Sequence, residues 1–384
     1  MTRMTLHEAF HLNPKVSLSK GTVAPFVDMA TLRPFTRDVR ATVKKTYSGG
    51  TKFCNGDVLM ARITPSLENG KTSIYRAVPG FTGPAFGSTE FIVIRGREGV
   101  SDSLFAYYIF TSDKVREYAI SSMNGSSGRQ RVQPDSLATF QFDLPPLDEQ
   151  RAIAATLGAL DDKIESNRRA QTLGEELIRS LVTAAMERSE GVIGILGDYC
   201  YLIKDPARNS ALTEDVNYIG FEHMPRSSIF LDSWGNAAGL GSDKSYFRVG
   251  DVLFGKLRPY FKKVGIAPVN GVCSTDILVL RPKLEDDGAI IAVVASSDSL
   301  IDSLSAAATG TRMPRASWKD LSNWPVAILT ADERSVLAEQ IAPLLQRLAV
   351  LTHESKYLRI ARDTLLPELL SGRIHVPEAA EVLA

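Results

Sequence analysis

Leu144-Pro145-Pro146-Leu147-Asp148-Glu149-Gln150-Arg151-Ala152-Ile153 opens the stretch from which the fold can be read. The residue before each proline is pushed away from helical backbone, so Leu144 to Leu147 forms a stiff lead-in. Asp148 and Glu149 then place negative charge where a helix N-terminus favours it. Apolar residues follow at alternating spacings of three and four: Ile153, Leu157, Leu160, Ile164, Ile178, Leu181 and Ala185, interrupted in the middle by Asn167, Gln171 and Gly174. This is a heptad seam of period about 3.5. It predicts one helix from Asp148 to about Arg188, roughly 60 Å long at about 1.5 Å per residue. A helix of that length needs a partner.

The partner is in the same chain. Shifting the seam by 184 positions gives Leu337, Ile341, Leu344, Leu348, Leu351, Ser355, Leu358, Arg362, Leu365 and Leu369, and Asp148-Glu149 returns as Asp332-Glu333. Two long heptad helices, each following a domain-sized segment, read as an antiparallel coiled coil with a globular unit at either end. The alternative is two unrelated amphipathic helices, each packed on its own domain; the shared register argues against it. The second copy departs from the first in two places. Its entry, Ile328-Leu329-Thr330-Ala331, lacks the double proline, and Pro343 falls inside the helix, where a lost backbone hydrogen bond is expected to kink or delay it.

The globular segments repeat as well. Gly56-Asp57-Val58-Leu59 with Arg62 and Pro65 returns as Gly250-Asp251-Val252-Leu253 with Lys256 and Pro259. Ser88-Thr89-Glu90 before Phe91-Ile92-Val93-Ile94-Arg95 returns as Ser274-Thr275-Asp276 before Ile277-Leu278-Val279-Leu280-Arg281. Short apolar runs punctuated by glycine and proline, Phe26-Val27 among them, read as strands, and Leu104 to Ala119 reads as one helix. A glycine- and base-rich loop, Asn124 to Arg131, returns as Thr309 to Arg315. The fold class is therefore α+β: two duplicated β-rich domains, residues 1–146 and 189–330, separated by long helices at 147–188 and 331–384. Duplication implies a pseudo-two-fold arrangement in which the helices act as a ruler between two equivalent readers, as dyad-related proteins address duplex DNA.

Composition sets bounds. With 384 residues, 44% hydrophobic and 23% charged, the chain has the make-up of a soluble protein of two or three domains. Its apolar runs are too short to span a membrane and its N-terminus lacks a basic-then-apolar leader, so the expected location is cytoplasmic. Cys54, Cys200 and Cys273 form no C-x-x-C pair and are read as reduced thiols. Forty-four basic and 44 acidic residues cancel. A chain gripping nucleic acid alone through counterion release is normally basic, so DNA binding here needs basic residues gathered on one face or a partner that supplies affinity.

His7-Glu8-Ala9-Phe10-His11 matches H-E-x-x-H, a zinc-protease signature that requires both histidines on one helical face. Pro14 follows closely, and the second copy aligns Leu6-His7-Glu8 with Leu196-Gly197-Asp198, without histidine, so the match reads as chance. His223, His353 and His375 are isolated. The sequence contains no P-loop, no glycine-rich S-adenosylmethionine loop and no Asn-Pro-Pro-aromatic motif of the amino-methyltransferases. Catalytic, cofactor-binding and metal residues are therefore expected to be none.

The doubled pattern resembles the specificity (S) subunit of type I restriction–modification systems. The features that carry the resemblance are the stretch Leu144 to Ile153, the two Gly-Asp-Val-Leu strands, and the ending Leu365-Leu366-Pro367-Glu368-Leu369-Leu370-Ser371-Gly372-Arg373-Ile374. The resemblance covers essentially the whole chain. It implies two target recognition domains that each read half of a bipartite site in double-stranded DNA. It further implies two docked methyltransferase (M) subunits, joined by restriction (R) subunits in phage defence, with no chemistry in this chain. S-adenosylmethionine and ATP would then belong to those partners. The candidate DNA contacts are Arg129, Arg131, Arg312 and Arg315 on the glycine-rich loops. Lys256, Arg258, Lys262 and Lys263 lie in an aromatic-interleaved turn, with Arg62 and Lys71 in the matching region of the first copy. Arginine can bond guanine bidentately or clamp phosphate; the bland reading is a solvated basic turn. Asn124, Gln130 and Gln133 could read adenine edges. A protein-binding scaffold that never touches DNA is the alternative function.

Overall fold

The computed structural model describes residues 1–125, 130–189, 192–208, 212–307 and 314–376. Two helices dominate it, Leu147–Arg188 and Ala331–Ser371. The second starts without a proline lead-in because Thr330 caps it. The Thr330 amide donates to the Glu333 carboxylate at 2.7 Å, and the Glu333 amide donates back to Thr330 Oγ1 at 3.3 Å. Contrary to the expected delay, the helix starts at Ala331 and continues through Pro343 to Ser371. The start is fixed by its cap. The bond that proline removes is one among many, with Ile341 buried just before it.

The chain falls into two compact units that do not follow the division at 146, 188 and 330. Met1–Lys163 combines with the chain from Leu358 in one, and Ile164–Tyr357 forms the other. Each unit therefore holds one globular segment and a part of both long helices.

In the first unit a five-stranded sheet runs in the order Phe10–Leu12, Phe91–Gly96, Val58–Ala61, Thr72–Tyr75, Asp38–Val39, antiparallel except for the last pair. Its two central strands are buried on both faces, which is why they read as continuous apolar runs. Val58, Met60, Ile92 and Ile94 face the helix Ser103–Thr111 and the seam residues Ile153, Leu157, Leu365 and Leu369. Leu59 and Val93, one position on, face the opposite way onto Val27, Phe53 and Ala85 of a four-stranded sheet. Strand Thr2–Thr5 pairs with Gln141–Leu144 and so leads directly into the long helix.

The single helix expected over Leu104–Ala119 is two helices, Ser103–Thr111 and Asp113–Ser121. Ser112 takes extended backbone, at ψ 146°, and separates them. Serine favours such a boundary because its hydroxyl competes for backbone partners; here it donates to the Ile109 carbonyl.

The second unit repeats the plan. Its four-stranded sheet has the order Cys200–Ile203, Ile277–Pro282, Val252–Gly255, Val264–Ile266. Val252 and Phe254 pack toward the apolar helix Gly288–Ala295 and the seam, and Leu253 and Val279 toward a five-stranded sheet. Both copies set the central strand with the same device. Gly56 and Gly250 turn at φ +88° and +87°, where glycine alone is unstrained. Asp57 and Asp251 are then 1% and 2% exposed. Each accepts a bidentate pair from the arginine of the neighbouring strand: Arg95 to Asp57 at 2.6 and 2.7 Å, Arg281 to Asp251 at 2.8 Å twice.

Within the second unit the helices run antiparallel. Asn167 Nδ2 donates to Ser355 Oγ at 3.3 Å and to Glu354 at 2.8 Å, and Gln171 Nε2 to Thr352 Oγ1 at 2.8 Å. A Cβ on Gly174 would meet Leu348 at 2.9 Å, so the glycine leaves room for that leucine. The polar interruption of the seam thus finds polar partners. In the first unit the seam carries charge instead. Asp161, buried, accepts from Tyr108 Oη and from Arg362 Nη1, both at 2.7 Å. Arg37 donates to the Gly158 carbonyl at 2.9 Å and to Asp162 at 2.5 Å. Among the described residues no single helix is long and apolar enough to cross a membrane.

Candidate nucleic-acid interface

Each unit carries the same backbone clasp just past its central strand. In the first, the Arg62 amide donates to the Glu90 carbonyl at 3.0 Å, the Val132 amide to the Arg62 carbonyl at 2.8 Å, and the Thr64 amide to the Gln130 carbonyl at 3.0 Å. In the second, Lys256 donates to Asp276 at 2.9 Å, Ala316 to Lys256 at 3.0 Å, and Arg258 to Pro314 at 3.0 Å. The strand end, the Ser-Thr-acid turn and the exit of the basic loop are thereby laced together twice. Three segments far apart in sequence meet at one place in each unit.

The clasp fixes side chains. Arg131 Nε donates to both oxygens of Glu90 at 3.0 Å and Nη2 to Oε1 at 2.8 Å, an ion pair that raises the guanidinium further above its already high range. Arg315 pairs with Asp276, the counterpart acid, at 3.3 Å. Both acids sit in the same turn, with the Ser88 hydroxyl accepting from the Glu90 amide at 3.1 Å and the Ser274 hydroxyl from the Asp276 amide at 3.3 Å. Arg62 Nη2 reaches Gln133 Oε1 at 3.1 Å, while its Nε is buried without a partner.

The remaining candidates divide. Arg258 is exposed, in left-handed backbone at φ 50°, and Lys256 is half-buried beside it. Lys71 and Lys263 occupy equivalent hairpin positions, the Lys71 carbonyl accepting from Ala61 at 3.0 Å and that of Lys263 from Gly255 at 2.8 Å. Both ammonium groups are spent on loop carbonyls: Lys71 donates to Met29 at 2.8 Å and Lys263 to Phe221, above whose ring it also lies. Burial pushes the Lys263 amine below its ordinary range, and the charge of Arg226 adds to this. Lys262 pairs with Asp298. Arg129 and Arg312 lie outside the described residues. Of the ten candidates, Arg62 and Arg131 are brought together in one unit, and Lys256, Arg258 and Arg315 in the other; Lys71 and Lys263 serve as latches of their loops.

The histidine motif is dispersed. His7 lies in a single helical turn, Leu6–Ala9, and His11 in the strand Phe10–Leu12, so they share no helical face. Glu8 closes the turn, accepting from the Thr5 amide at 2.7 Å, as Asp198 accepts from the Ile195 amide at 2.9 Å in the second copy. Those hydrogen bonds hold the Glu8 carboxyl below its usual range.

Residues 12–173 match the family model of the type I restriction modification DNA specificity domain. The chain is 31% identical over 168 residues to the type I restriction enzyme EcoEI specificity subunit of Escherichia coli, covering 41% of this chain and 27% of that one. It is 30% identical over 169 residues to the EcoAI specificity subunit of the same organism, covering 42% and 28%. The match therefore spans little more than a quarter of the length of these relatives. Over 96% of this chain and 95% of the other, the fold is similar to the crystal structure of the type I restriction-modification system S subunit from M. genitalium, with TM-score 0.55 at 15% identity.

Over residues 12–173 the chain is similar to the type I DNA specificity domain. The matched stretch contains Arg62, Lys71, Arg129 and Arg131, and the second copy repeats its backbone clasp. Sequence reasoning named the arginines of this specificity domain and missed their acids. The signal was present: Glu90 and Asp276 recur in the Ser-Thr-acid motif, ahead of each basic loop. It also missed Arg226, whose guanidinium stacks 3.9 Å from the Phe261 ring and braces the basic turn of the second copy.

Proposed function

We propose that this chain is the DNA sequence-recognition subunit of a type I restriction–modification complex and performs no chemistry itself. Each unit reads one half of a bipartite duplex site, and the long helices set the gap. Two methyltransferase subunits dock on the chain, restriction subunits join them, and S-adenosylmethionine and ATP are bound by those partners. The methyltransferase flips an adenine out of the duplex to reach it. The observation that carries this reading is the clasp, which recurs in both units and presents arginine from the edge of a glycine-rich loop. Arginine there can engage the acceptor pair of guanine or bridge phosphates.

The test is single-molecule methylome sequencing of cells that express this chain with the methyltransferase encoded beside it, against cells lacking this chain. A new motif of two short halves around a fixed gap is expected. An active methyltransferase in a soluble complex, with no change in methylation, would sink the reading and leave a protein-binding scaffold.

A further inference from the structure

At the interface just described, three of the basic side chains are met by acids of the chain itself. Arg131 is held by both oxygens of Glu90, Arg315 by Asp276, and Lys262 by Asp298. Whole-chain neutrality, 44 basic against 44 acidic residues, thus has a local counterpart where the opposite would be expected of a DNA-binding surface. Arg131 and Glu90 are part-exposed, as are Arg315 and Asp276, so these pairs are within reach of a competing anion. The acids are not there to hold the fold together at these points. The backbone clasp uses the carbonyls of Glu90 and Asp276, whatever their side chains carry.

We infer that Glu90 and Asp276 are specificity-determining residues that keep the recognition arginines neutralised until a matching site displaces or shares the carboxylate; the inference rests on the DNA-recognition reading. A phosphate met at random offers one anionic contact in place of the one given up, and the exchange gains little. A base edge with two aligned acceptors, or a full set of contacts at the correct half-site, outweighs the lost pair. Non-specific binding, which depends on free cations and counterion release, is suppressed more than specific binding. The carboxylates are positioning residues in the unbound state and negative selectors during search.

The test uses the purified full chain and its Glu90→Gln and Asp276→Asn variants. Binding of a fluorescent mixed-sequence duplex is read by anisotropy across a KCl series. Each variant is expected to bind that duplex about two- to fivefold more tightly than the parent, the range a part-exposed pair can supply. The slope of log affinity against log salt is expected to steepen by about 0.9, the signature of one more available cation. Glu117→Gln makes the same charge change at an exposed position of the same unit and controls for net charge. In the methylome assay, Glu90→Gln should blur only the half-site read by the first unit, and Asp276→Asn only the other. A misfolded variant would lose affinity, with a lowered melting temperature, and would not show a steeper salt slope. An unchanged slope in both variants, or an equal change in Glu117→Gln, overturns the inference. If the parent complex methylates no bipartite motif and Arg131→Ala alters nothing, it is the recognition reading that fails.

Discussion

At the scale of single residues, the most consequential side chains are acids that the sequence shows only as members of a repeated strand motif. Asp57 and Asp251 each accept two bonds from an arginine on the next strand, and the Cys54 and Arg248 amides donate to them at 2.7 and 2.8 Å. Removing such a carboxylate leaves a guanidinium and an amide without their partner. Asp57→Ala should destabilise the first unit by about 3 kcal/mol, with a similar loss for Asp251→Ala in the second, measured by urea unfolding. Asp38 gives a pH-dependent case. Burial alone would raise its carboxyl, but hydrogen bonds from Arg37 at 2.6 and 3.0 Å and Arg76 at 2.7 Å outweigh that and hold it below its usual range. A carboxyl depressed in the folded state contributes stability above its unfolded value and loses it as pH falls through the folded one. The melting temperature should therefore drop below about pH 4, and Asp38→Asn should flatten that part of the profile while lowering stability at neutral pH. The pairs themselves could not be read from sequence, because partners such as Arg131 and Glu90 lie 41 positions apart with nothing local to link them.

At the scale of elements, the heptads were legible because burial imposes a period and period survives in sequence. Ile153, Leu157, Ile178, Leu348 and Leu365 are all buried as the pattern required. The break at Ser112 was not legible, since apolar residues continue on both sides and only the backbone of one serine changes. Internal duplication supplies its own control for the charged part of the seam. The counterparts of Asp161 and Arg362, 184 positions away, are Leu345 and Ile178, and Tyr108 has its counterpart within an entirely apolar helix. One copy solved the same packing problem with charge and the other with hydrocarbon. Asp161→Ala should cost about 3 kcal/mol by leaving Tyr108 without its acceptor and Arg362 with only Asp363, whereas the combined Tyr108→Phe, Asp161→Leu, Arg362→Ile replacement should stay within about 1 kcal/mol of the parent or exceed it. Chemical denaturation of the three proteins distinguishes these outcomes.

At the scale of the whole molecule, duplication was legible from motif order, but the way the chain is shared between units was not. Seam periodicity says that a helix has a buried face without saying whose core buries it. The first core draws on Leu365 and Leu369, contributed by the far end of the sequence. Residues 1–163 alone should therefore behave as a loosely packed species that binds hydrophobic dye. Adding a peptide of residues 358–376 in trans should restore a cooperative melt, followed by near-ultraviolet circular dichroism.

That sharing has a consequence for birth on the ribosome. Ile153 and Leu157 leave the exit tunnel about 200 residues before the leucines that cover them, an interval of roughly 10–40 s at ordinary elongation rates. The second unit, complete by Tyr357, can close before the first, so the part made earliest matures last. During that interval the nascent chain carries a bare apolar stripe, and chaperone occupancy along the message should rise once Leu157 emerges and fall as Leu369 does.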